Sequence, residues 1–318
     1  MVARLLCGLA AAWLMAVAPV ARAEQAQAIP PLPLQQVAEH IWFVQGQAAL
    51  GSPANRNFIS NAGFIVTRDG VVVVDALGSP DLARALLAAI RSVTDQPVRF
   101  VIVTHYHADH IYGLQVFKEQ GATIIARQEG REYLNSETAQ RRLEASRQEL
   151  APWVDARTHL VPADRWLDAD TTLTVGGEHL QLRHVGPAHT PEDLAVFVES
   201  SRVLFAGDLV FRGRVPYVGT ADSQAWIAAL SGLIDLKPVV IVPGHGALSR
   251  EPLADLTLTR DYLQYLRKSM AEAAANLEPF EDAYARTDWS AFEHLPLFGV
   301  ANRINAYNTY LLMEQAGR

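Results

Sequence analysis

Three imidazoles and one carboxylate, His105, His107, Asp109 and His110, fall within six consecutive positions of the chain. Neutral imidazole nitrogens and carboxylate oxygens are the donors that zinc and its first-row neighbours take, so this spacing points to a metal centre rather than a polar turn. Three further positions repeat the pattern in weaker form: His189 in Gly-Pro-Ala-His-Thr, Asp208 in Phe-Ala-Gly-Asp, and His245 in Val-Pro-Gly-His-Gly. Small residues beside each one let the backbone approach closely and leave room for an ion. Any one of them alone reads as a structural side chain. Together, seven nitrogen and oxygen donors at four expected strand ends make a strong signal of a metal centre.

The elements that must position these groups follow from the hydrophobic period. Residues 98–103, Val-Arg-Phe-Val-Ile-Val, form a β-branched apolar run, which reads as a buried strand delivering the cluster into a loop at its C-terminal end. His189, Asp208 and His245 also follow apolar runs and are expected at strand ends. Residues 41–44 read as the first strand, 46–60 as a polar loop, and 61–67 with 71–76 as a hairpin turning on Arg68-Asp69-Gly70. Ser79-Pro80 caps an amphipathic helix carrying Leu82, Leu86, Leu87 and Ile90. A helix over 112–120, a strand over 122–127 and one long charged helix over 129–150, near the site mouth, come next. Hairpins over 171–185 and 194–206, a helix over 222–233, a strand over 239–242 and helices over 253–275 and 304–315 complete the chain. Strands thus arrive in two batches, each followed by helices. That order predicts an α/β fold of two sheets packed face to face with helices outside, a four-layer αββα sandwich.

Residues 1–23 read as a signal peptide: Arg4 supplies the positive start, 5–20 is an uncharged apolar run, and Ala21-Arg22-Ala23 is a small-x-small cleavage site. Residues 24–36 form a Pro-rich lead-in, and 37–318 are expected to be a single domain. The only cysteine, Cys7, lies in the leader, so the mature chain has no thiolate ligand, disulfide or cysteine nucleophile. Export to the periplasm, with cleavage after Ala23 and no membrane anchor, is the expectation. The net charge of −7 becomes more negative once Arg4 and Arg22 leave with the leader. No basic block of the kind that holds nucleic acid is present, so the expected partner is a small-molecule substrate.

The motif His-x-His-x-Asp-His, followed by single His, Asp and His residues, resembles the metallo-β-lactamase superfamily of dinuclear metallohydrolases over essentially the whole mature chain. The resemblance implies that one metal takes His105, His107 and His189, the other Asp109, His110 and His245, with Asp208 bridging. It also matches Asp75, at the end of the 71–74 run, to the family's structural aspartate behind the metal loops. It implies an exported enzyme with two Zn2+ per chain, in which a metal-bridging hydroxide attacks a carbonyl, with Asp109 orienting the nucleophile. An all-nitrogen and oxygen set also admits iron or manganese. The aspartate at position 208 is similar to glyoxalase II, which favours a thioester or related ester or lactone. The chain further resembles exported hydrolases associated with sulfur-oxidation and quinoprotein systems, implying a periplasmic redox partner. A β-lactamase is the alternative reading, and an iron persulfide dioxygenase a more distant one.

Four other residues are substrate-binding candidates. Tyr106 and Tyr112 flank the metal loop and either donate to a developing oxyanion or pack as rings. Arg212 and Arg214 follow Asp208 and either pair with an anionic substrate group or sit in a solvated loop. His40, His159, His179, His184 and His294 lack a second donor at useful spacing and read as surface or hydrogen-bonded histidines.

Overall fold

In the computed structural model, residues 29–316 are described. The expected signal peptide and the first residues of the lead-in lie outside them. Among the described residues, no helix is long and apolar enough to cross a membrane.

Two sheets carry the fold. The first has seven strands in chain order: β1 (Leu34–Ala38), β2 (Ile41–Val44), β3 (Ala62–Thr67), β4 (Gly70–Val74), β5 (Val98–Ile102), β6 (Thr123–Arg127) and β7 (Arg165–Leu167). Pairing is antiparallel up to β4 and parallel from β4 to β7. The second sheet has the order β12-β11-β10-β9-β8, from β8 (Thr171–Val175), β9 (Glu178–His184), β10 (Leu194–Val198), β11 (Val203–Phe211) and β12 (Val240–His245). Only β11 and β12 run parallel there.

The two-residue period of a strand sorts its side chains between cores. On β4, Val71 and Val73 join the outer core, while Val72 and Val74 join the core between the sheets. On β11, Leu204 and Ala206 face the outer core of the second sheet, while Val203 and Phe205 face inward. Buried strands of this kind read as continuous apolar runs because both faces are covered. The first sheet is covered by α1 (Pro80–Val93) and α3 (Leu114–Glu119), whose Leu82, Leu86 and Phe117 belong to its outer core. The second is covered by α6 (Ser223–Asp235), α7 (Pro252–Ala275) and α9 (Phe298–Ala316), through Trp226, Leu263 and Ala306. Three cores separate four layers, as the order of elements predicts.

Several boundaries differ from expectation. β1 pairs with β2 from Leu34, so the lead-in already contributes sheet. The 129–150 stretch is two helices, α4 (Gly130–Leu134) and α5 (Glu137–Glu149), because Ser136 caps a new start by accepting from the Ala139 N–H. Asp109 and His110 lie in a one-turn helix, α2 (Ala108–Ile111), rather than in loop. β11 continues through Asp208 to Phe211, past an irregularity in its pairing at Gly207. A further helix, α8 (Phe280–Arg286), and the first turns of α9 lie beyond the predicted elements.

Candidate metal centre

All four donor positions converge on one edge of the sandwich. β5 ends two residues before Thr104 and delivers His105 and His107, and α2 then turns Asp109 and His110 back towards them. The loop after β9 presents His189, the far part of β11 presents Asp208, and the last residue of β12 is His245. Strand direction explains the convergence: β4 and β5 run parallel in one sheet, as do β11 and β12 in the other, so their C-terminal ends share an edge.

The donors fall into two groups, His105, His107, His189 and Asp208 in one and Asp109, His110 and His245 in the other. Asp208 reaches into both. Its Oδ2 lies 3.4 Å from His189 Nε2, 3.7 Å from His105 Nε2 and 3.3 Å from His245 Nε2, and its Oδ1 lies 3.2 Å from His110 Nε2. Asp109 Oδ2 is 3.4 Å from His245 Nε2 and 3.7 Å from His110 Nε2. Four ligands at zinc–nitrogen distances in a tetrahedron stand about 3.3 Å from one another, so these spacings suit donors that share ions. His105 Nε2, His110 Nε2 and Asp208 Oδ1 are buried and without a hydrogen-bond partner. Orphaned polar atoms aimed at one point are what a metal centre leaves when its ions are taken out of account. The residues fit the group.

The backs of the ligands are held firmly, which fixes which nitrogen faces the centre. Asp75 Oδ2 accepts from His110 Nδ1 at 2.8 Å, and the same carboxylate accepts from the Thr104 N–H and hydroxyl. His245 Nδ1 donates to the Ile59 carbonyl at 2.8 Å. The His189 loop is closed by Asp193, whose carboxylate accepts from the Thr190 N–H and hydroxyl. Glycine is required at position 244, where a Cβ would come within 2.0 Å of Asp208 Oδ1. Asn61 stitches the sheets together, donating to the Pro243 and Gly246 carbonyls and accepting from the Gly46 N–H.

Burial pushes the imidazole pKa values of His105, His107 and His189 below 6.5, that of His189 to about 3. His110 behaves oppositely: burial disfavours its charge, but Asp208, Asp75 and Asp109 outweigh it and hold the ring well above its ordinary value. Asp208 would be raised by burial, yet His245, His110 and His105 hold it well below the usual carboxylate range.

The secondary candidates separate cleanly. Tyr106 does not face the donors: its ring stacks on Trp166 at 5.9 Å in the outer core, and its N–H donates to Glu192. Tyr112 is buried in the same core, its hydroxyl 3.2 Å from Ser146 Oγ. Both expectations of substrate contact are therefore corrected to packing, because the loop after β5 and the end of α2 turn both rings fully into the outer core of the first sheet. Arg212 is likewise corrected: its Nε donates to Asp255 at 2.7 Å and its Nη1 to the Leu248 carbonyl, which ties it away from the centre. Arg214 is buried, with its guanidinium over the Phe211 ring. Glu192, Asp193 and Ser60, whose hydroxyl donates to the Asp109 carbonyl, support the metal loops without a motif in the sequence to mark them. Asp193 sits three residues beyond Thr190, which is the spacing of a local side-chain turn and the one signal that could have found it.

Comparison with known proteins agrees with this geometry. The family model for the metallo-beta-lactamase superfamily matches residues 55–245, which include all seven donors. A linear primary-alkylsulfatase of Pseudomonas sp. (strain ATCC 19151) is 27% identical over 240 residues, 64% of this chain and 45% of that protein, so the chain spans less than half of that relative. A metallo-beta-lactamase type 2 of Bacillus sp. (strain 170) is 24% identical over 230 residues, 71% of this chain and 80% of that one. Among solved structures, a stereoselective inverting sec-alkylsulfatase from Pseudomonas sp. superposes on 88% of this chain with TM-score 0.71 and 17% identity, half of that chain being covered. A likeness of this last kind speaks to the fold alone. With a family model spanning most of the sandwich and every donor in place, the chain belongs to the metallo-beta-lactamase superfamily.

Proposed function

We propose that this protein is an exported dinuclear zinc hydrolase that cleaves an ester-type bond at a carbonyl, with thioesters and related esters or lactones as the first substrate class. One observation carries the reading: seven nitrogen and oxygen donors form two groups joined by a single carboxylate, Asp208. Divalent ions held by these donors would supply water activation near neutral pH and Lewis-acid polarisation of the electrophile. The chain's own residues do the rest. Asp109, with 17% of its side chain exposed, is more open to solvent than His110, His245 or Asp208 and orients the attacking water as well as contributing a donor. The neutral rings of His105, His107 and His189 keep that side of the site free of competing protons. Asp75 orients His110, and the Ile59 carbonyl orients His245.

A second reading is favoured by the relatives. The alkylsulfatase similarity makes a sulfate ester the next class to test, and the Bacillus β-lactamase similarity makes a β-lactam the third. The leader pattern in residues 1–23 supports a periplasmic location, where a redox-system partner would be met. Mass spectrometry of the periplasmic protein is expected to find Glu24 at its N-terminus.

The test is elemental analysis of the purified mature protein together with a panel of thioesters, lactones, an alkyl sulfate and a chromogenic cephalosporin. Two zinc ions with thioester or lactone turnover is the expected result. Alkyl sulfate or cephalosporin turnover alone would move the substrate class, and a single iron without hydrolysis would replace the hydrolase reading with persulfide oxidation.

A further inference from the structure

A ligating imidazole ordinarily donates the N–H on its far side to an oxygen acceptor, and that bond fixes the orientation of the ring. His110 has Asp75 for this purpose, His245 has the Ile59 carbonyl, and His105 Nδ1 lies 3.1 Å from the Thr104 hydroxyl. His189 differs. Its Nε2 faces the other donors, 3.0 Å from His107 Nδ1 and 3.4 Å from Asp208 Oδ2. Its Nδ1 is buried, and no described group accepts from it. With Nε2 turned to the centre as a donor, the neutral ring carries its proton on that unpartnered Nδ1.

Aromatic rings stand where an acceptor is missing. The Trp226 ring lies 5.3 Å from that of His189 at 62°, and the Phe211 ring 5.7 Å away at 68°. Both contacts fall in the edge-to-face range, in which the positive edge of one ring meets the negative face of another. An N–H directed at an aromatic face forms a weak hydrogen bond, and indole has the most electron-rich face of the side chains. His105 and His107 meet the same ring edge-on at 5.2 and 4.8 Å. Rings packed in this way confine the imidazole as a hydrogen bond would.

Trp226 is itself firmly placed. It is fully buried, and its Nε1 donates at 3.2 Å to the carbonyl of Leu209, the residue after Asp208. It lies in the first turn of α6, which Asp222 caps by accepting from the Gln224 and Ala225 N–H groups. The Asp222 carbonyl accepts from the Trp226 N–H, and the Ser223 hydroxyl accepts from Arg267 of α7 at 2.9 Å. The start of α6 is thus held by its own cap and by a neighbouring helix. One indole carries that position both to His189 and to the strand that presents Asp208.

We propose that Trp226 is the positioning residue of His189: its ring holds the imidazole towards the centre, where His105, His110 and His245 use an oxygen acceptor, and so supports ion binding by the His105, His107 and His189 group in particular. The proposal rests on the metal-centre reading and is independent of which bond is cleaved.

The test is the zinc affinity of the full chain, read by competition with a chelating dye, in variants that also lack one ligand. His110→Ala keeps the three-imidazole group whole, and His107→Ala keeps the other. Added to His110→Ala, Trp226→Leu should weaken the remaining zinc site by about tenfold or more, the range for losing the residue that orients a ligand. Added to His107→Ala, it should leave the remaining affinity unchanged. Trp226→Phe, which keeps an aromatic ring, should restore most of the lost affinity. Weakening of equal size on both backgrounds marks Trp226 as a general packing residue and overturns the proposal, as does no weakening on either. If Trp226→Leu does not fold, or a single-ligand variant loses both ions, the ring N–H signals of zinc-loaded, 15N-labelled wild type decide. The His189 signal is expected upfield of those of His110 and His245, whose oxygen acceptors draw them downfield. A His189 signal as far downfield as theirs reveals an acceptor and overturns the proposal. A wild type that takes up no divalent ion removes the metal-centre reading and this proposal with it. A wild type that holds two, with affinities indifferent to Trp226→Leu, removes this proposal alone.

Discussion

The two halves of the metal centre are made from different chemistry. The His105, His107 and His189 half offers two buried imidazoles and one half-buried, His107, each held neutral by desolvation. The Asp109, His110 and His245 half contains a partly exposed carboxylate and, in His110, a ring that surrounding carboxylates keep protonated in the absence of an ion. The first half is ready to bind before any ion arrives. The second must release a proton from His110, and Asp75 holds that ring from behind. The lesson is that a symmetric-looking cluster has an inner half set by burial and an outer half set by charge, with only Asp208 common to both.

The largest effect is expected from Asp208→Ala, which removes the shared carboxylate. Both ions should be lost and turnover should fall by about a thousandfold or more, since such ions supply several kcal/mol of transition-state stabilisation. Elemental analysis that still finds two ions would break the comparison at its root. Removing one donor from each half sharpens it: His107→Ala and His110→Ala should each retain one ion. A His110→Ala protein that lost both would show that the halves are not separable.

Stripping the ions with a chelator should lower Tm by about 10 °C or more. Two ions at a hundredfold excess over Kd contribute on the order of 5 kcal/mol, and each kcal/mol moves a domain of this size by about 2–4 °C. The stripped protein also tests the charge difference by its pH dependence. His189 is depressed to about 3, so between 6.5 and that value the unfolded chain takes up the proton first and stability falls with pH. Each depressed imidazole contributes a slope on the order of 1.4 kcal/mol per pH unit at most. His110 has the opposite sign, its stabilisation being full below 6.5 and lost as pH rises through its raised value. Three depressed rings against the raised His110 ring and the raised Asp193 carboxyl predict a lower Tm at pH 5 than at pH 7, followed by calorimetry. An unchanged Tm would mean that the inner half is not held neutral.

Asp75→Asn keeps the shape behind His110 and removes the charge. Zinc affinity of the outer half should weaken by about tenfold to a hundredfold, with the three-imidazole half unaffected, in a competition titration with a chelating dye. The smallest effect is expected from Tyr112→Phe, which loses only the contact with Ser146 and should cost about 1 kcal/mol in urea unfolding with no change in bound zinc. A change in turnover there would return Tyr112 to the substrate site.

Much of this was legible in the chain. Donor identity is a local property, so His105, His107, Asp109 and His110 announce themselves by spacing alone, and His189, Asp208 and His245 by the apolar runs before them. The two-residue period of Val71–Val74 and 203–206 is also local, because alternate side chains must leave a strand by opposite faces. Those two kinds of pattern determined the sandwich and the candidate donor set. Tertiary structure alone decided between neighbours of the same type. Arg212 and Arg214 are indistinguishable in sequence, yet Asp255 and the Leu248 carbonyl claim the first, while the second is buried with its guanidinium over the Phe211 ring. Tyr106 and Tyr112 flank the ligands but turn into the outer core, where Trp166 and Ser146 meet them. The continuation of β11 through Asp208 depends on pairing with β12, which residues 203–211 cannot report by themselves. A side chain's type fixes what it can bind. Partners brought in from distant parts of the chain fix which way it points.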